Sequence, residues 1–149
     1  PTPGEYEAEL TTISTLGCSN TIKKQIFIFP NVTVTPLTPY NENFETSSGG
    51  WLPNGTTGGV PKLYSWRHRN TSGVKMPSNN SSKAWIAKIA DSTAYMNNEQ
   101  SYVESPCFDI STLQRPMLQL RIFYDTDQGG DGAVVQVSKD DGLTWSILG

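Results

Sequence analysis

The chain has 149 residues, of which 17% are charged, and a formal net charge of −3 at pH 7. A nucleic acid or an anionic membrane surface would require clustered lysine and arginine, so this balance argues against both partners. No apolar run approaches the ~20 residues of a membrane span, so we expect no membrane-spanning segment. Gly, Pro, Ser, Thr and Asn crowd the spaces between short apolar runs, which favours an all-β fold with many turns.

The first 30 residues predict two strands joined by a turn. Apolar residues alternate from Tyr6 to Leu10, and a second apolar run covers 26–29. A ribbon of two strands buries too little surface to fold alone in water. We therefore expect it to be the last hairpin of a domain whose earlier strands lie upstream of Pro1.

Two short motifs in this hairpin resemble a known domain family. Gly4-Glu5-Tyr6, followed by Gly17-Cys18-Ser19-Asn20-Thr21, is similar to the C-terminal end of a polycystic kidney disease (PKD) type immunoglobulin-like domain. The resemblance covers about the last third of such a domain. It implies that residues 1–30 are the C-terminal hairpin of an immunoglobulin-like sandwich.

A connector is predicted after this hairpin, at residues 31–39. Pro36 and Pro39 lie among β-branched residues there, which disfavours helix and favours an extended, semi-rigid chain. We place a domain boundary in this segment.

The remainder, residues 40–149, is predicted to be a second all-β domain. It opens with a polar, turn-rich stretch that runs to about Ser82. Strands are then predicted at 84–89, where Trp85 lies on the apolar face that we expect to be core, and at 101–108, 117–124, 131–137 and 143–148. Asp141-Gly142 predicts a tight hairpin turn between the last two, because glycine adopts the positive φ that such a turn requires.

Three motifs in this second part resemble the MAM-like or cleaved-adhesin jelly roll found in gingipain adhesin regions and in surface proteins of gliding bacteria. They are Asn43-Phe44-Glu45 with Gly50-Trp51, Glu104-Ser105-Pro106-Cys107-Phe108-Asp109, and Asp131-Gly132 through Asp141-Gly142-Leu143-Thr144-Trp145. The resemblance implies an antiparallel jelly-roll sandwich that is truncated at its C-terminus.

Catalysis is not expected from these residues. His68 is the single histidine, and no nucleophile motif accompanies it, so we assign it a surface or structural role. The carboxylates could supply a glycosidase pair, but their spacing selects none. Cys18 and Cys107 could pair in an oxidising compartment, but they fall in different predicted domains. We expect them to be small buried thiols.

Calcium is the cofactor that the sequence favours. Calcium takes six to eight oxygen ligands, and an acidic loop can supply them. Asp125, Asp127 and Asp131 lie in such a glycine-containing loop, although a solvated hairpin loop would have the same composition. In the jelly rolls that the chain resembles, the glutamate of the entry motif often contributes to a calcium site, which implies Glu45.

A sugar site is a further candidate, because jelly rolls also serve as carbohydrate-binding modules. Trp51, Tyr64, Trp66 and Trp85 could stack on sugar rings, although some of them could equally be core. We select Trp66 for the site, with Arg67 and Arg69 as neighbouring hydrogen-bond donors.

The resemblances together imply a non-catalytic module of a large, secreted bacterial cell-surface adhesin of gliding motility, exported by the type 9 route. Its expected location is the extracellular cell surface. Its expected partners are neighbouring β-modules of the same polypeptide, the secretion or attachment machinery, and surface glycans. The alternative is an accessory carbohydrate-binding or protein-binding module of a secreted protease or glycoside hydrolase.

Overall fold

The structure is a computed structural model that describes residues 2–72, 82–89 and 94–148. All regular structure in those residues is β, which confirms the predicted all-β class. Whether the domains are of the immunoglobulin-like and jelly-roll types stays a prediction. The strands are β1 (Gly4–Ile13), β2 (Ser19–Ile28), β3 (Asn31–Thr33), β4 (Leu52–Thr57), β5 (Val60–Pro61), β6 (Trp66–Asn70), β7 (Lys83–Ala87), β8 (Glu99–Glu104), β9 (Cys107–Asp109), β10 (Gln136–Val137) and β11 (Ser146–Ile147).

The chain divides into two compact units, Pro1–Leu113 and Gln114–Gly149. The first unit contains β1 to β9, and the second contains the β10–β11 pair. The boundaries drawn from the sequence, at 30 and 40, stay predictions. Within the described ranges, no helix is long and apolar enough to cross a membrane.

The hairpin β1–β2 is a continuous antiparallel ladder of ten residue pairs, from Gly4 opposite Ile28 to Ile13 opposite Ser19. One face of it is polar, since Lys23 Nζ lies 2.8 Å from Glu7 and 3.2 Å from Glu9. The other face is apolar because the side-chain period of a strand is two. We name this the apolar face; it consists of Tyr6, Ala8, Leu10, Ile22, Lys24 and Ile26.

The predicted connector takes part in the sheet structure at its start. Strand β3 pairs with β9 in parallel, and the amide of Val34 donates to the carbonyl of Asp109 at 2.9 Å. The strand predicted over 101–108 is divided into β8 and β9. Pro106 lies in the break, and proline cannot donate a ladder hydrogen bond.

The stretch predicted to be turn-rich contains strands β4, β5 and β6, so that part of the prediction is wrong. Strand β4 lies between β5 and β8 in a three-stranded antiparallel sheet. Gly55 permits this pairing, since a Cβ at that position would lie 2.4 Å from the Cβ of Ser101. Polar β4 has almost no hydrophobic alternation, which is why the sequence pattern missed it.

Strands β6 and β7 form a separate antiparallel pair that contains two buried aliphatic residues. Ala84 and Ile86 are 9% and 8% exposed and share one face of β7. The sequence analysis predicts that the core lies on the opposite face of β7, which carries Trp85. That prediction is wrong, because the face with Ala84 and Ile86 is the more buried one. Trp85 is half-buried and packs against His68 instead.

In the second unit, the strand predicted over 117–124 is wrong, because these residues have no regular structure. Alternation alone does not make a strand; a ladder partner is also needed. Leu118 and Ile122 accordingly remain 58% and 60% exposed.

The hairpin predicted at the end of the chain is confirmed in register but is shorter than expected. Val137 pairs with Ser146, and the amide of Leu143 donates to the carbonyl of Asp140 at 3.2 Å. Asp141 and Gly142 both have positive φ, at 56° and 83°, as the predicted two-residue turn requires.

Candidate functional site

An aromatic cluster surrounds Phe44 in the first unit. The Phe44 ring lies 5.7 Å from Trp51 in an edge-on arrangement and 6.4 Å from His68, which in turn lies 5.9 Å from Trp85. Phe44 has a φ of 62°, a strained value for a bulky residue. A hydrogen bond of 2.6 Å from its amide to the Glu42 carboxylate holds this turn. The cluster therefore explains the Asn43-Phe44-Glu45 motif as a packed turn.

His68 stabilises the same turn. Its Nε2 lies 2.7 Å from the carbonyl oxygen of Phe44. A carbonyl only accepts hydrogen bonds, so Nε2 carries the proton and donates. This geometry uses His68 as a structural donor in a half-buried setting.

Glu45, the first calcium candidate, is surrounded by hydrogen-bond donors. Its carboxylate accepts bonds from the Ser82 amide at 2.7 Å, from the Lys83 amide at 3.2 Å and from the Ser82 hydroxyl. The bonds from Ser82 and then from Lys83 lower the pKa of Glu45 below its ordinary value. Calcium is bound by oxygen atoms, whereas the described groups around this carboxylate direct N–H and O–H hydrogens at it, so they do not fit a calcium shell. Calcium binding at Glu45 stays a prediction, and it requires the ion to displace these bonds.

The acidic loop of the second unit forms a turn of its own. The amides of Gly130 and Asp131 both donate to the carbonyl of Asp127 at 3.2 Å, and the side chains of Asp125, Asp127 and Asp131 are exposed. Among residues 2–72, 82–89 and 94–148, no three His, Cys, Asp or Glu side chains gather around a possible metal position. Calcium binding at this loop also stays a prediction.

The three residues predicted for a sugar site are not brought together. Trp66 points to one face of β6, while Arg67 and Arg69 point to the other, because neighbouring strand residues alternate. Arg67 instead lies over the ring of Tyr64, with its guanidinium carbon 5.3 Å from the ring centre. Its Nη1 donates to the carbonyls of Tyr64 and Trp66 at 3.1 and 2.6 Å. Tyr64 is therefore the aromatic partner of Arg67.

A half-buried carboxylate that the sequence analysis missed joins β8 to the segment before β6. Glu99 accepts hydrogen bonds from the amide and hydroxyl of Ser65, from the amide of Met96 and from the hydroxyl of Ser101, at 2.5 to 3.1 Å. Ser65 is only 3% exposed, so this carboxylate satisfies a buried amide and a buried hydroxyl. Glu99 and Ser101 share a strand face, and this spacing was the one local sign of their hydrogen bond. The contact with Ser65 has no local sign, because Ser65 is 34 residues away in the sequence.

Asp140 has a similar role in the hairpin turn of the second unit. Its carboxylate accepts bonds from the amide and hydroxyl of Thr144, at 2.9 and 2.6 Å, and from the hydroxyl of Ser138 at 2.8 Å. Ser138 Oγ also accepts a bond of 2.8 Å from the Gly142 amide. These side-chain bonds close the turn where the regular ladder stops at Val137 and Ser146. The sequence signal was the serine and threonine that flank Asp140.

No disulfide joins Cys18 and Cys107, and both side chains are exposed, so the expectation of buried thiols is wrong. Cys18 lies in the loop of the β1–β2 hairpin, and Cys107 begins β9.

Comparison with protein-family models, with curated proteins and with solved structures finds no match to this chain.

Proposed function

We propose that this chain is a non-catalytic module of a large, secreted bacterial cell-surface adhesin of the gliding-motility class, exported by the type 9 route. The observation that supports this proposal best is the apolar face of the β1–β2 hairpin. Leu10 and Ile22 lie opposite each other on it and are 61% and 64% exposed. Apolar surface of this kind is favourably buried against another sheet.

The charge on the apolar face of the β1–β2 hairpin indicates what kind of surface could pack against it. Lys24 lies near the middle of the apolar face, opposite Ala8, and among the described residues it has no acidic partner. A second copy of the hairpin would bring Lys24 against Lys24. A neighbouring β-module of the same polypeptide fits better if its sheet presents aliphatic side chains and one carboxylate opposite Lys24.

The test uses the chain expressed together with the adjoining segments of its polypeptide. Replacing Leu10 and Ile22 with asparagine should lower the melting temperature of the longer protein by several degrees. The matched control, Thr11→Asn with Thr21→Asn, changes the opposite face of the same hairpin. Equal effects of the two pairs would contradict packing through the apolar face.

Location is tested separately, by antibody labelling of intact cells and by fractionation. We expect the protein at the cell surface or in the medium. Detection of the protein in the cytoplasm would overturn the proposal.

An adjoining hydrolase domain on the same polypeptide would favour the alternative, an accessory binding module of a secreted enzyme. The exposed stack of Arg67 on Tyr64 is the observation that supports a binding role.

A further inference from the structure

Positive charge is concentrated in one stretch of this acidic chain. Residues 46–90 contain no Asp or Glu, but they contain six of the eleven lysines and arginines. The rest of the sequence has the other five cations and all fourteen carboxylates. Strands β6 and β7 both lie within this cationic stretch.

The fold places three of these cations on one face of the β6–β7 pair. Arg67 and Arg69 lie opposite Ile86 and Ala84. The amide of Lys88 donates to the carbonyl of Ser65 at 3.4 Å, which continues the register and brings Lys88 to the same face as Ile86. Ala84 and Ile86 are buried on this side of the pair, whereas Arg67 is exposed and Arg69 and Lys88 are half-buried. We name Arg67, Arg69 and Lys88 the cationic face.

Within residues 2–72, 82–89 and 94–148, the members of the cationic face form no ion pair. Among the described residues, the ion pairs involve Lys23 and Lys62, and no carboxylate pairs with a member of the cationic face. Glu99, which reaches Ser65 beside this face, is engaged by four hydrogen-bond donors. Neighbouring cations repel one another, and an anionic ligand would relieve that repulsion.

Two of the three side chains are held in place. The ring of Tyr64 and two backbone carbonyls, which both accept from Nη1, hold the guanidinium of Arg67, and the Arg67 side chain is exposed. Arg69 donates to the carbonyl of Lys88 at 3.3 Å, so its stem extends along β7 past Ile86. Two guanidinium groups held on one side of a strand pair suit a ligand with repeated carboxylate or sulfate groups.

We propose that the cationic face binds an acidic polysaccharide, through its carboxylate or sulfate groups, with Tyr64 supporting the contact. This inference rests on the proposed function, since it names the ligand class of a non-catalytic binding module. A nucleic acid is also a polyanion, and the test below includes an oligonucleotide to separate it from an acidic polysaccharide.

The experiment measures binding of the full chain by calorimetry and affinity electrophoresis. The probes are polygalacturonate, dextran sulfate, neutral dextran and a single-stranded oligonucleotide. We expect binding to one or both acidic polysaccharides, none to neutral dextran, and weaker binding as salt rises. Binding to polygalacturonate alone indicates recognition of carboxylates, and binding to dextran sulfate alone indicates recognition of sulfates. Tighter binding to the oligonucleotide, or no binding to either acidic polysaccharide, overturns the proposal.

The variant Arg67→Gln with Lys88→Gln should lose at least tenfold in affinity. Arg69 is left unchanged because its hydrogen bond to the carbonyl of Lys88 joins β6 to the end of β7. The matched control is Arg121→Gln with Lys139→Gln, which removes the same charge from one exposed arginine and one exposed lysine outside β6 and β7. A control that loses as much affinity as the test variant overturns the assignment to this face.

The polysaccharide-binding results do not depend on whether the apolar face of the β1–β2 hairpin packs against a neighbouring module. A chain that fails to bind polysaccharide, but packs through Leu10 and Ile22 in the longer protein, loses this inference and keeps the proposed function. Circular dichroism and tryptophan fluorescence check that each variant is folded. If the double variant does not fold, Lys88→Gln alone should lose at least threefold, and an unchanged affinity would contradict the proposal.

Discussion

Replacing Glu99 with glutamine should destabilise the first unit, whereas the same change at Glu104 should not. Both residues lie on β8, but Glu99 accepts four hydrogen bonds and Glu104 lies at the other end of the strand. A glutamine keeps one acceptor oxygen and presents an NH2 group to the remaining donors. At least one backbone amide, of Ser65 or Met96, then loses its acceptor.

The magnitude follows from these bonds. A hydrogen bond to a charged group contributes about 1.5–3 kcal/mol, and a buried unpaired donor costs about 1–3 kcal/mol. We expect Glu99→Gln to lower the free energy of unfolding by about 2–4 kcal/mol, measured by urea denaturation at pH 7 with tryptophan fluorescence. A loss below about 0.5 kcal/mol would refute the view that this carboxylate anchors Ser65.

The two glutamates should also respond to pH in opposite directions. Burial raises the pKa of Glu99, but the hydrogen bonds from Ser101, Ser65 and Met96 together outweigh it and hold the pKa below its ordinary value of 4.5. Its contribution to stability is therefore present above the unfolded pKa and is lost as pH falls through the folded pKa. Burial raises the pKa of Glu104, so its contribution is present below the unfolded pKa and is lost as pH rises through the folded pKa. Glu104→Gln should thus be neutral or slightly stabilising at pH 7.

Two further changes test local geometry. Gly55→Ala should destabilise the β4–β8 pairing by about 3 kcal/mol or more in urea denaturation, since its Cβ would meet Ser101 and its φ is 150°. Gly58 also has a positive φ but has open space around it, so Gly58→Ala should cost only about 1 kcal/mol. Equal costs for the two substitutions would contradict the steric argument. The bond from the Thr144 hydroxyl, with others, lowers the pKa of Asp140. The Leu148 amide donates to the carbonyl of Val135 at 2.8 Å beside the β10–β11 pair. Asp140→Asn should therefore lower the exchange protection of this amide at constant pH, and unchanged protection would refute this role.

The sequence predicted strands well where the chain pairs with a near neighbour. The β1–β2 hairpin has ten consecutive pairs and a short loop, so alternation and turn chemistry were sufficient to find it. The Asp141-Gly142 turn was found for the same reason. Strand β4 was missed because it pairs with β8 through residues far apart in sequence, and Gly55 and Thr56 show no apolar period. The apolar alternation at 117–124 led to a wrong strand prediction, because alternation shows which side chains would share a face but does not supply a neighbouring strand.

The site residues were harder to predict because their partners are distant in sequence. Glu45 was selected for its motif, yet its carboxylate contacts Ser82 and Lys83, nearly forty residues along the chain. Arg67 was selected as a donor beside Trp66, but strand alternation turns Trp66 away and leaves Tyr64 as its ring partner. Composition over the whole chain also concealed the cationic stretch, since a net charge of −3 averages two regions of opposite sign.

Side-chain covering, rather than hydrophobicity alone, determines which apolar residues are buried here. Ile86 and Ile22 have the same side chain, yet Ile86 is 8% exposed and Ile22 is 64% exposed. Arg69 spans the β6–β7 pair, because it lies opposite Ala84 and donates to the carbonyl of Lys88 on the same side as Ile86, and the stems of long cationic side chains often cover apolar surface in this way. On the apolar face of the β1–β2 hairpin, Lys24 lies opposite Ala8, and no such shield covers Ile22. This difference is consistent with the two proposals, in which the cationic face binds an acidic ligand and the apolar face packs against a neighbouring sheet.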